Sequence, residues 1–248
     1  MIQIERRIVN GLPYLEIVKE ELKDKELPTV FFYHGWTNCK ESVLVNGYEV
    51  AQKDMRGIIP DAMFHGERND GLPIKEHFED FANIVMGSVD EFPIILADLV
   101  NRKVTDPKRV GVTGLSMGGI TTCGIMTKHE NVKAADCLMG APNFYDFVEM
   151  VAKLAFEVDE LPEETQKDFL KMKVYDLSLQ PEKIAKRPMH FWHGEKDDMV
   201  PYQPTFDFYQ DHKKTEYGKN MTFTTTDDGH RVPYHITQEM AEYFSKVL

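Results

Sequence analysis

The run Gly114-Leu115-Ser116-Met117-Gly118 constrains this chain more than any other. It stands between Arg109–Gly114, which reads as a strand, and Ser116–Lys128, which reads as a helix. A strand that becomes a helix within so few residues has to bend sharply. Glycines on either side of the serine remove side chains that would collide with the neighbouring strand and helix. A serine on such a turn is held on strained backbone with its hydroxyl exposed. The plain alternative is a glycine-rich turn that happens to contain serine, and the strand–turn–helix setting argues against it.

Elsewhere short apolar runs alternate with longer periodic segments, the pattern of a mostly parallel central sheet flanked by helices, an α/β fold. Ile2–Val9 and Tyr14–Lys19 predict an edge hairpin turning at Asn10-Gly11. Strands are predicted over Thr29–His34, Gly57–Pro60, Lys133–Met139, Pro188–His193 and Met221–Thr226. Helices are predicted over Lys40–Met55, His77–Val104 and Pro233–Leu248, with Pro93 starting, kinking or interrupting the second. Between Asn143 and Arg187 the β signal vanishes and helical patterns take over. The expectation is one domain over 1–248 with a short helical cap inserted at about 143–187.

Composition narrows the function classes. Hydrophobic residues make up 42% and charged residues 28%, which excludes a disordered or collagenous chain. With 29 Lys and Arg against 41 Asp and Glu, the net charge is −12, a balance that repels phosphate backbones and anionic lipid. Neither nucleic acid nor a membrane surface is expected as a partner, while a homo-oligomer is left open. Cys39, Cys123 and Cys137 are too few and scattered for a disulfide framework. Met1–Arg7 lacks the apolar core of a signal peptide, and no stretch reaches the length of a membrane span, so a cytoplasmic protein is expected.

A serine hydroxyl is a weak nucleophile until a base takes its proton, and the base needs a carboxylate to orient it. Two further runs, each directly after a strand, supply those groups: His193-Gly194-Glu195-Lys196-Asp197-Asp198-Met199-Val200-Pro201 and Asp227-Asp228-Gly229-His230. A fourth, Tyr33-His34-Gly35-Trp36, ends the first buried strand, where a backbone N–H can face a developing oxyanion. The backbone N–H groups of Trp36 and Met117 are the expected pair.

Together these four motifs resemble the α/β-hydrolase superfamily, in the form of small bacterial carboxylesterases related to dienelactone hydrolase and the prolyl-oligopeptidase catalytic domain. The likeness spans roughly residues 30–248, with Ser…Asp…His in the order that superfamily uses. It implies Ser116 as nucleophile, Asp197 as acid and His230 as base. Dienelactone hydrolase itself carries a cysteine nucleophile, and many lipases carry histidine where Leu115 stands, so the resemblance points away from both reactions. It implies a serine carboxylesterase working through an acyl-enzyme on a small-molecule ester, without cofactor or metal. A small serine peptidase of the prolyl-oligopeptidase type and a non-catalytic binding protein on the same fold are the alternatives.

Other residues compete for these roles. Asp198 adjoins Asp197, but the pattern H-G-x-x-D-x-x-V-P fits Asp197. His235 falls on the last helix as a surface or packing residue, and His34 and His193 are expected to hydrogen-bond locally. His65-Gly66-Glu67-Arg68 follows a strand and either lines the cleft or ties down a loop, the second reading being preferred. No H-E-x-x-H pattern or phosphate-binding glycine loop is present. In the insertion, Phe144, Phe147, Met150, Val151, Leu154 and Phe156 recur at near-helical spacing. That face can cover a pocket, seal the insertion onto the main core, or do both; on the first reading Trp36, Phe144 and Phe147 wall a small substrate pocket.

Overall fold

Apolar residues that alternate between two faces build the sheet. The computed structural model describes residues 1–248, the side chains of Glu164 and Asp168 excepted. Its strands are β1 (Ile2–Val9), β2 (Leu12–Lys19), β3 (Leu27–Tyr33), β4 (Arg56–Pro60), β5 (Thr105–Leu115), β6 (Ala134–Leu138), β7 (Met189–Gly194) and β8 (Met221–Thr226). They form one eight-stranded sheet in the order β1-β2-β4-β3-β5-β6-β7-β8. Pairing is antiparallel from β1 to β4 and parallel from there on. The hairpin turns at Asn10 and Gly11, both at positive φ, as the sequence predicts.

Side-chain alternation divides the core. Phe31 packs on one face with Ile58, Val112 and Phe92, while Val30 and Phe32 face the other with Ile17, Trp192 and Phe244. Helices α2 (Phe81–Asn101), α3 (Met117–Lys128) and α6 (Tyr202–His212) cover the first face; α1 (Leu44–Gln52) and α7 (Tyr234–Val247) cover the second. Between β6 and β7 lie α4 (Phe144–Phe156), α5 (Glu163–Phe169) and two 3-10 turns. Among the described residues, no helix is long and apolar enough to cross a membrane.

Two predicted helices are shorter than expected. Residues 40–43 form a 3-10 turn ahead of α1, because Lys40 is drawn inward to Asp61. Residues 74–80 form another ahead of α2. Pro93 lies inside α2 without ending it. It cannot donate to the carbonyl of Val89 four residues earlier, and the His129 ring meets that oxygen at 2.9 Å instead.

Register sets the strand ends side by side. Tyr33 is level with Gly114, Leu115 with Leu138, Leu138 with Trp192, and Gly194 with Thr226. The loops after β3, β5, β7 and β8 therefore emerge along one edge. The strand order reverses between β3 and β5, the crevice where open α/β sheets bind ligands.

Candidate active site

The turn from β5 into α3 is as tight as its glycines imply. Ser116 has φ +55° and ψ −117°, a conformation that costs of order 1–3 kcal/mol for a residue with a side chain. A Cβ on Gly118 would lie 2.0 Å from the carbonyl oxygen of Tyr33, and one on Gly114 would lie 2.5 Å from the carbonyl oxygen of Gly118. Only glycine lets β3, β5 and the start of α3 approach so closely. The Ser116 N–H donates to Leu138 at 3.0 Å, fastening the turn to β6.

The loops after β5, β7 and β8 bring three polar side chains into line. Ser116 Oγ is 2.9 Å from His230 Nε2, and His230 Nδ1 is 2.8 and 2.9 Å from the two oxygens of Asp197. Asp197 Oδ1 accepts the N–H groups of Met199 and Val200 at 2.9 and 3.0 Å. His193 Nε2 lies 3.2 Å from Asp197 Oδ2 and 3.0 Å from the carbonyl oxygen of Val200. Burial alone would raise the Asp197 carboxyl. Hydrogen bonds from His193, His230 and the Val200 N–H outweigh it and hold the group well below the usual carboxylate range. Its stabilising contribution is thus present above ordinary carboxylate pKa values and lost only as the pH falls through its own. Asp198 and His235 are exposed and stand outside this array.

The backbone of the Trp36 loop is also held. His34 Nδ1 lies 2.9 Å from the carbonyl oxygen of Gly35, and Asn38 N–H donates to the same oxygen at 3.1 Å. That carbonyl belongs to the peptide unit whose N–H is Trp36's. His34 Nε2 accepts the Ala62 N–H at 3.1 Å, which fixes the ring as the Nδ1–H tautomer. Among the described residues, neither Trp36 nor Met117 has a backbone partner for its N–H.

Burial pushes the His34 imidazole down to about 4, against a smaller upward pull from its bond to Gly35. Its folded pKa lies below the unfolded one, so the unfolded chain binds more protons across that interval. Stability should fall by about 3 kcal/mol as the pH drops from about 6.5 to 4. Urea midpoints of the wild type and His34→Gln, measured at pH 7 and pH 4.5, check this. The variant should be weaker at pH 7 and lose less on acidification, whereas parallel losses would contradict the assignment.

With this geometry in hand, residues 86–248 match the prolyl oligopeptidase family. The chain belongs to that family. It is 37% identical over 255 residues to YitV of Bacillus subtilis (strain 168), provisionally named an esterase, with 100% of both chains covered. It is 30% identical over 226 residues to the esterase YjfP of Escherichia coli (strain K12), covering 90% of this chain and 89% of that one. TT1662 of Thermus thermophilus superposes with a TM-score of 0.77 at 16% identity, over 100% of both chains, a likeness of fold. The fold is that of the α/β-hydrolases, and this member of the prolyl oligopeptidase family is a hydrolase.

The helices between β6 and β7 place the remaining sequence-predicted residues of this family member. Phe144 and Phe147 are buried with Met117, Ile120 and Ala82 in a third apolar cluster, on which Trp36 packs. Phe81 stands 5.4 Å from the Trp36 ring and 6.1 Å from Phe147, centre to centre. It also lines an open cavity of about 410 Å³, together with Val148, Val151, Phe156, Phe169 and Met172. Leu154 is 72% exposed and does not join the apolar face expected of it. Among the described residues, no group of three or more His, Cys, Asp or Glu side chains is placed to hold a metal ion.

Two features leave little trace in the sequence. The bond from His193 to Asp197 joins residues four apart in the H-G-x-x-D run, and that spacing is its only signal. The fully buried Lys40, 2.6 Å from Asp61, has none, since lysine reads as a surface residue.

Proposed function

We propose that this hydrolase is a serine carboxylesterase that cleaves short-chain acyl esters through an acyl-enzyme. The observation that carries the reading is the unbroken hydrogen-bonded run from Ser116 Oγ through His230 to Asp197. Ser116 Oγ attacks the ester carbonyl while His230 Nε2 takes its proton, and Asp197 stabilises the resulting imidazolium. The oxyanion faces the N–H groups of Trp36 and Met117, the latter at the start of α3, where the helix dipole adds positive potential. Collapse of the intermediate expels the alcohol, which takes its proton from His230. Water then enters by the same route and releases the acid.

The esterase names of YitV and YjfP support an ester as substrate; the family's name keeps a peptide bond in view. Paired p-nitrophenyl esters and p-nitroanilides with one acyl group separate the two. The ester should turn over and the anilide should not, whereas efficient anilide cleavage would move the assignment to a peptidase.

Acyl length is the second point of specificity. Trp36, Phe81 and Phe147 crowd the side of the site next to Met117. Each added methylene gains at most about 0.8 kcal/mol from burial, while overpacking costs about 1–3 kcal/mol. The ratio kcat/KM should therefore peak at acyl chains of about two to six carbons. Phe147→Ala removes one ring from this wall, beside the Phe81 that borders the 410 Å³ cavity, and should move the optimum to longer chains. A wild-type optimum at about twelve carbons or more would contradict this account of the pocket.

A further inference from the structure

The loop after β4 carries His65-Gly66-Glu67-Arg68, a run that no step of the reaction above uses. His65 is 4% exposed. Its Nδ1 lies 2.7 Å from the carbonyl oxygen of Met63, and its Nε2 is hydrogen-bonded to the carbonyl oxygen of Trp36. The ring stands edge-on to the Trp36 indole, with centres 5.5 Å apart. Carbonyl oxygens only accept, so an imidazolium donates to both of them and a neutral ring to one.

The next three residues brace that loop, and Glu67 ties it to the one it grips. Gly66, at φ +51°, lies so close to Asp61 that a Cβ would be 2.3 Å from its carboxylate. The Glu67 N–H donates to Asp61 Oδ2 at 3.0 Å, and the Glu67 carboxylate pairs with Lys40 Nζ at 2.8 Å. Arg68 forks onto Glu91 with two bonds of 2.7 Å. Lys40, on the far side of the Trp36 loop, donates its N–H to Asp61 at 2.9 Å and its ammonium to the same carboxylate at 2.6 Å. The segment from Gly35 to Lys40 is thus tied upstream by His34, downstream by Lys40 and in the middle by His65.

We propose that His65 is a positioning residue that aims the Trp36 N–H at the oxyanion by holding the Trp36 carbonyl. The proposal rests on the reading of Trp36 as an oxyanion donor. The peptide unit before Trp36 is fixed through the Gly35 carbonyl, and the unit after it through His65. Swinging the Trp36 N–H away then breaks one bond or the other. Oxyanion donors act over a narrow range of distance, so a loop freed by loss of His65 forfeits transition-state stabilisation without forfeiting substrate binding.

His65→Phe keeps a planar ring and removes every ring N–H, while His65→Gln keeps a donor on a flexible stem. The readouts are kcat and KM for p-nitrophenyl acetate, affinity for a trifluoromethyl ketone that mimics the tetrahedral intermediate, and Tm to restrict comparison to folded protein. In His65→Phe, kcat should fall about 10- to 100-fold, KM should stay within about twofold, and ketone affinity should fall in step with kcat. His65→Gln should recover most of the loss. If the phenylalanine variant does not fold, His65→Leu takes its place in the same comparison. A folded donor-free variant with kcat within about twofold of wild type overturns the proposal, as does a loss confined to KM or a folded His65→Gln no better than His65→Phe. A wild type without ester turnover overturns the esterase reading and this assignment together; an active wild type with an equally active His65→Phe overturns this assignment alone.

Discussion

Ser116→Ala is expected to lower ester turnover by at least about 10³-fold while leaving the fold intact. The Ser116 hydroxyl makes one side-chain hydrogen bond, to His230, and the bond that anchors the turn to β6 is made by the backbone and survives the change. Alanine also inherits the positive φ that serine already tolerates there, so no new strain arises. The residual rate measures what the two backbone N–H groups and substrate binding achieve without a nucleophile. Steady-state turnover of p-nitrophenyl acetate, with thermal melts of both proteins, checks both halves of the expectation. Near-normal turnover in a folded variant would remove the mechanism.

Asp197→Asn should cost about 10⁴-fold in turnover, and for a reason visible in its hydrogen bonds. Oδ1 accepts from the N–H groups of Met199 and Val200, so the amide oxygen of asparagine keeps that position. The amide NH₂ then replaces Oδ2, 2.8 Å from His230 Nδ1 and 3.2 Å from His193 Nε2, leaving Nδ1 only its 2.9 Å contact with the Oδ1 position as an acceptor. A donor facing Nδ1 favours the tautomer with its proton on Nε2, which cannot take one from Ser116. Asp198→Asn touches none of these bonds and should be nearly silent. Kinetics of the two variants side by side are the check. Greater damage from Asp198→Asn would show that the carboxylate had been placed one residue off.

Much of this arrangement is legible in the sequence because it depends on local patterns. Strands β3, β4, β6 and β7 are short, largely apolar runs bounded by turn residues, and Gly114 and Gly118 mark positions where backbone from β3 presses against the elbow. Ser116, Asp197 and His230 each follow a strand, so alignment of the strand ends is enough to bring them together. What escapes the sequence is contact between loops. Lys40 and Asp61 are 21 residues apart, and His65 meets Trp36 across 29 residues, with no periodicity to link them. The apolar face of α4 is also narrower than the sequence spacing predicts. At about 100° per residue, Phe156 lies about 120° around the helix from Phe144. Phe144, Phe147, Val148 and Ala152 are buried, while Leu154 and Phe156 are exposed.

A fluorophosphonate that phosphonylates activated serines tests most directly whether Ser116 forms a covalent acyl-enzyme. Wild-type protein treated to full inactivation should carry one phosphonyl group per chain, mapped by peptide mass spectrometry to Ser116, and Ser116→Ala should carry none. Protein that stays unlabelled while hydrolysing esters, or a label on another residue that tracks the loss of activity, would contradict that role for Ser116.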